Sequence, residues 1–228
     1  RLPGSGWEWG AVSQAQHLTP ATQPTVGADF ARIYTAYPLG RPPGLPGIQG
    51  PLAFLSEDTL LVGGFAASSS GALYKAKVLR RPDTHIIGFD NDANPRTPYE
   101  VEYFTDAPFN DSGLVITPEG LILANQWPPP GVNQLRISGG TPYQTLPEGL
   151  GGLAFVPPDL PGAELLKAVS IWRGNSFFTL NTSIAGTFED GKPRLQIDSQ
   201  DFETTVSREP GAIAYVPLNA PEFDGVPY

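Results

Sequence analysis

Short apolar runs broken by tight polar turns recur along this chain, and two stretches share one layout. In "GPLAFLSEDTLLVGGF" (Gly50–Phe65), Leu52-Ala53-Phe54 precedes the turn Ser56-Glu57-Asp58, then Leu60-Leu61-Val62 and the aromatic Phe65. In "SGLVITPEGLILANQW" (Ser112–Trp127), the same places hold Leu114-Val115-Ile116, Pro118-Glu119-Gly120, Ile122-Leu123-Ala124 and Trp127. Two further copies open at Gly151 and Gly211, where Leu153-Ala154-Phe155 and Ile213-Ala214-Tyr215 fall on the first run. Runs of this kind, rich in β-branched and aromatic residues and bounded by Gly and Pro, predict β-strands.

Each of the first three copies predicts four strands. The first has Leu52–Leu55, Thr59–Val62, Ala72–Leu79 and Thr84–Phe89. The second has Leu114–Ile116, Leu121–Ala124, Gln134–Ile137 and Tyr143–Leu146. The third has Leu153–Phe155, Leu165–Ile171, Ser176–Leu180 and Leu195–Asp198, with Asp190-Gly191 as a hairpin signal. The first strand of each unit is apolar on both faces and needs cover on both. A lone small sheet leaves its faces bare, so several must pack about a common axis. The expected fold is therefore all-β: a β-propeller of four-stranded antiparallel blades, with about four blade motifs visible. Unequal spacing between copies disfavours a uniform solenoid, and a β-sandwich is the competing architecture.

Residues 47–228 are read as the blades and residues 1–46 as an N-terminal arm with outer strands. The segments 13–29 and 40–48, rich in Gly, Pro, Thr and Gln, read as ordered loops or arms. The fourth copy stops at Tyr228, which leaves two expectations. Either the chain is a piece of a larger ring, or four blades close. In the second case "WEWGAV" (Trp7–Val12) and "ARIYTAYPL" (Ala31–Leu39) supply outer strands and remove open edges.

Composition narrows the partners. The 26 Gly and 26 Pro favour many short strands over long helices. A net charge of −9 repels phosphate backbones, so nucleic acid is not an expected partner. No apolar run approaches the roughly 18 residues of a membrane span. The absence of Cys excludes disulfides and thiolate chemistry. The absence of Met means that Arg1 is not a translational start; removal of an export signal fits, with a periplasmic or extracellular location.

The stretches "GPLAFLSEDTLLVGGF", "FNDSGLVITPEGLILANQW" and "GGLAFVPPDLPGAELLKAV" resemble the six-bladed propeller superfamily of lactonase-like and NHL-type calcium-associated propellers, over residues from about 47 to 228. The Gly-His…Trp-Asp pairing of WD40 blades is missing, and the Gly-Gly pairs are too irregular for kelch. The resemblance implies that an Asn-Asp pair before an inner strand lies near the central channel. Asn110 and Asp111 match that pair as metal and substrate ligands. "IQGP" (Ile48–Pro51) resembles the family's Glu-Gly-Pro metal motif with Gln49 in place of Glu, which removes a charged ligand from any lactonase-type centre.

Other candidates come from the residues themselves. Asp90, Asp92 and Asn94 have the D-x-D-x-N spacing of a calcium loop, making Ca2+ the candidate cofactor. Pro95 replaces the usual Gly and Val101 takes position twelve, so this is no EF-hand; an Asx-rich connection is the competing reading. His17 lies in a polar N-terminal stretch, and His85 reads as a strand residue. Hydrolase, zinc-protease and nucleotide motifs do not occur. "QWPPPG" makes a stiff connection in which Trp127 can stack on a sugar or peptide; a stiff connection around a core aromatic is the competing reading. Asn110-Asp111-Ser112 and Asn181-Thr182-Ser183 are glycosylation sequons. The resulting expectation is an exported, non-enzymatic module that binds or scaffolds a protein or glycan partner. A metal-dependent lactonase-type hydrolase near Asn110, and a structural subunit of a larger assembly, are the alternatives.

Overall fold

A computed structural model describes residues 25–28, 31, 35–90, 101–117, 119–127, 131–136, 144–146, 151–170, 175–206 and 210–215. The elements formed by these residues are all strands, paired antiparallel in three sheets. Among the described residues no helix is long and apolar enough to cross a membrane. Contacts divide the chain into two units, residues 1–45 with 76–101 and residues 46–75 with 102–228.

The first sheet holds β1 (Leu52–Phe54), β2 (Thr59–Gly64), β3 (Ala72–Arg80), β4 (Ile86–Phe89) and β5 (Glu102–Asp106). β3 runs through both units. Its first half pairs with β5, Ala72 opposite Asp106; its second half pairs with β4, Val78 opposite Phe89. The second sheet runs β6 (Asn110–Ile116), β7 (Ile122–Gln126), β8 (Gly131–Leu135), β9 (Gln144–Leu146). The third runs β10 (Leu153–Phe155), β11 (Leu166–Ser170), β12 (Ser176–Thr187), β13 (Pro193–Thr205).

Within the second unit, β6 lies beside both β1 and β10. Alternation along its sheet serves two cores at once. Leu114, Ile122, Ala124 and Leu135 pack with Leu61, Leu73 and Phe104 of the first sheet. Val115, Leu123 and Val132 pack with Leu153, Leu166, Phe178 and Leu180 of the third. Each fully buried Leu or Ile stabilises the fold by about 1.5–3 kcal/mol. Position in the row decides exposure. Leu114 and Leu153 are covered by the preceding sheet and are 6% and 5% exposed, whereas Leu52, at the same repeat position in the first sheet, is 61% exposed.

Glycines let the sheet heads meet. A Cβ on Gly113 would lie 2.5 Å from the Gly151 oxygen, and one on Gly152 would lie 2.6 Å from the Ala212 Cα. A side-chain clasp reinforces the second seam. Gln134 on β8 donates from Nε2 to the Pro193 oxygen at 2.7 Å, and its Oε1 accepts from the Leu195 N–H at 2.9 Å. The carboxamide thus pairs with β13 as a peptide group would. The position that faces the following sheet, in the first and second sheets, changes character in the third. Pairing aligns Leu61, Leu123 and Lys167. Lys167 donates to Thr179 Oγ1 at 2.6 Å and pairs with Glu203.

Three features depart from the sequence reading. The strand beside the start of β3 is β5, which the sequence assigns to an acidic connection. Its strand character lies in Phe104, buried in the core, and Tyr103, set edge-on to Tyr74 at 6.0 Å. β12 and β13 run well past their expected ends, with bulges between Phe177/Phe178, Asn181/Thr182 and Ile184/Thr187. Their outer halves are largely solvated and carry little apolar periodicity to read. The fourth copy's run, Ile213-Ala214-Tyr215, forms no strand; the chain passes Gly152 at Ala212 instead.

If the Gly113 contact holds the heads together, Gly113→Ala should lower unfolding stability by about 1–3 kcal/mol, as overpacking does. Gly211→Ala, with nothing within 4 Å of its Cβ, should change it by less than about 0.5 kcal/mol. Urea denaturation of both variants reads the difference.

Candidate functional site

At one end of the first two sheets, three connections are sewn into a single layer. The β2–β3 turn (65–71), the β5–β6 connection (107–109) and Trp127 share backbone hydrogen bonds. Phe109 N–H donates to Ser68 O at 2.7 Å, Ala67 N–H to Asn110 O at 2.8 Å, and Trp127 N–H to Phe109 O at 2.9 Å. Ser68 organises the turn locally: its Oγ donates to Phe65 O at 2.8 Å and Gly71 N–H donates to Ser68 O at 3.0 Å.

This layer holds unusual backbone. Phe65, Ala67 and Phe109 have φ of 48°, 56° and 57°. Such values are uncommon for residues with a side chain, and for a bulky aromatic they carry strain that surrounding contacts must maintain. Phe65 is nevertheless 41% exposed and Tyr103 is 50% exposed. The ring of Phe65 lies over Gly47, where a Cβ would be 2.4 Å from Cδ1. Tyr74 lies over Gly64 in the same way, with Cε2 2.8 Å from the place of a Cβ. Tyr103 donates from Oη to Asp106 at 2.8 Å. Burial first, then the bond to Asp106, pushes its phenol up to about 12.

Beneath the layer, Asn110 is 1% exposed. Its Nδ2 donates to Ala107 O at 2.8 Å and to Gly64 O at 3.3 Å, joining the first sheet to the second. Its Oδ1 faces Gly50 and Gly63, where a Cβ would lie 2.1 and 2.3 Å away. Past Asn110 the β6–β7 ladder is irregular up to Leu114. Asn125 fills the gap, its Oδ1 accepting from the N–H groups of Ser112 and Gly113. Asn133 on β8 donates to Gln126 at 2.7 Å.

The residues singled out in the sequence therefore separate. Asn110 faces inward and is closed off by glycines, so its sequon offers no accessible amide. The neighbouring Asp111 is half-buried, and burial raises its carboxyl pKa. Trp127 is half-buried at the edge of the layer. Gln49 is exposed. Asp90 follows β4 in the other unit, its N–H bound to Lys77 O at 2.8 Å; Asp92 and Asn94 lie outside the described residues, as does His17. His85 is no interior strand residue: it precedes β4 and meets Asp83 at 3.1 Å on the surface. Among the described residues, no three Asp, Glu or His side chains gather to hold a metal ion. Asn125, Gln126, Asn133 and Gln134 carry structural work that the sequence reading missed. The signal was present: two Asn-Gln pairs inside otherwise apolar strands must find partners when buried. No family model, curated protein or solved structure matches this chain.

Two outcomes follow from this geometry. Because folding raises the Tyr103 pKa, its contribution to stability is full below the unfolded value of about 10 and is lost as pH rises through about 12. In phenolate absorbance, the difference between wild type and Tyr103→Phe isolates this residue; Asp106→Asn should move its midpoint down toward 10.0. Asn110→Ala should lower stability by about 1–3 kcal/mol by removing the side-chain donor to the Gly64 and Ala107 carbonyls. Asn110→Asp should cost more, because a buried carboxylate then faces the same oxygens. Thermal melts of the two variants order them.

Proposed function

We propose that the chain is an exported, non-enzymatic propeller-type module that binds a protein or glycan partner on the loop layer around Phe65. The observation that carries this is strain coupled to exposure at one residue: Phe65 is held at φ 48° yet is 41% exposed, and Tyr103 adds a second exposed aromatic. Strain of this kind concentrates at ligand clamps and switches, and exposed aromatics supply contact area at little entropic cost.

The blade reading is supported by the order of the first strands. β1, β6 and β10 follow one another side by side, and each of the two seams buries one face of each sheet it joins. The non-enzymatic reading is supported by Asn110, which is 1% exposed, with its Nδ2 donating to two backbone carbonyls and its Oδ1 walled in by Gly50 and Gly63. Partner recognition would use Phe65 and Tyr103 as anchors, with Trp127 at the rim.

The test is a glycan array and a displayed-peptide library probed with the full chain and with Phe65→Ser/Tyr103→Ala. Ligands selected by the wild type should bind the double variant about tenfold or more weakly, as expected for anchor residues, while its circular dichroism still reports the folded strands at the assay temperature. Selected ligands that bind both proteins equally would remove the loop layer from the account.

A further inference from the structure

The second and third sheets part where the β6–β7 turn, the end of β10 and the outer half of the β12–β13 ribbon meet. They leave an open cleft of about 350 Å3. The β6–β7 turn lies at the opposite end of its sheet from Trp127, so this cleft is distinct from the loop layer. Its apolar lining comes from Leu121, Phe155, Ile184 and Leu195, and its ionisable groups are Glu119 and Glu164.

Both carboxylates are carried by fixed turns. Glu119 sits in a turn where Gly120 N–H donates to Thr117 O at 2.8 Å and Leu121 N–H to Thr117 Oγ1 at 3.1 Å. Glu164 has φ of 69°, and its N–H donates to Val156 O at 3.1 Å. The described lining includes no Lys, Arg or His. Two negative charges thus border an apolar floor that contains an aromatic ring, in a chain of net charge −9.

We propose that this cleft binds an apolar cation: an ammonium or guanidinium group on an aliphatic stem, whether a free alkylamine or a Lys or Arg side chain of a peptide. The stem leaves water against Leu121, Phe155 and Leu195. The head meets the two carboxylates and the ring face of Phe155, to which a cation is attracted electrostatically. An anion on the same stem gains the apolar contact and loses it again to repulsion. Volumes of about 300–1,000 Å3 with a few placed polar groups are the usual form of small-ligand sites.

The experiment titrates the full chain with octylammonium chloride, sodium octanoate and acetyl-Leu-Arg-Leu-amide, following backbone amide shifts by NMR. Octylammonium should saturate, move the signals of Glu119, Glu164 and Ile184, and weaken as salt screens the charges. Octanoate should not bind. Glu119→Gln/Glu164→Gln should weaken octylammonium about fivefold, and Ile184→Lys, which places a cation at the mouth, should abolish it. Wild-type amide spectra away from the cleft show that both variants remain folded. Tighter binding of the peptide than of octylammonium assigns the site to a side chain; weaker binding assigns it to a free amine. The proposal is overturned by equal binding of octanoate, by shifts confined to the loop layer, by an unweakened double variant or by no saturation.

Discussion

Where one sheet's head meets the next, two backbones come closer than any side chain allows. Gly113 against Gly151 is that meeting point, and Gly152 repeats the close approach against Ala212 of the chain that follows the third sheet. The seam between the second and third sheets depends on the first of them. The approach sets the separation at which Val115, Leu123 and Val132 reach Leu153, Leu166 and Phe178. A β-carbon at the head would open this gap and trade close packing for voids, whose cost grows with the volume left empty. The Gly ahead of the apolar triplet is thus a spacing device at Gly50, Gly113 and Gly152, and not at Gly211.

The seams are completed by neutral amides. Asn110 bridges to Gly64 and Ala107, Asn125 spans the irregular stretch of β6, and Gln134 meets the backbone of β13. A carboxamide offers the donor and acceptor of a peptide unit without a charge to desolvate. It can therefore stand where regular pairing fails, as Asn125 and Gln134 do with both donor and acceptor engaged, whereas Asn110 engages its Nδ2 and leaves its Oδ1 without a partner among the described residues. The same property fixes geometry. Asn110 helps hold the loop layer on the sheets, and the positive φ values of Phe65 and Phe109 are sustained from below by that attachment.

Most of the strand framework was legible in the sequence because period-two alternation and Gly/Pro punctuation act locally. Eleven residues from Leu52 to Val62 already contain a hairpin with its turn, and β1 and β2 form as expected. What escaped was set by distant partners. Nothing local in Glu102–Asp106 says that it will lie beside β3 rather than continue an acidic loop. The outer halves of β12 and β13 have solvent on much of their surface and so lack an apolar stripe. Asn110 was visible as a special residue, but its glycine socket comes from Gly50 and Gly63, far away in the chain. The loop layer was harder still to foresee, since exposure and positive φ are properties of the folded backbone. Only the recurrence of Phe65 and Trp127 at one repeat position hinted at it.

The exchange of leucine for Lys167 at the third sheet has a consequence for self-association. A row of sheets with an apolar face at each end would template its own extension, copy upon copy, into a fibre, because a head-to-tail contact that does not close repeats without limit. Here an apolar face brought onto the third sheet would meet the Lys167–Glu203 pair, its lysine already only 13% exposed, in place of a leucine. An ion pair at the repeat position that elsewhere carries leucine therefore works against such stacking on this face.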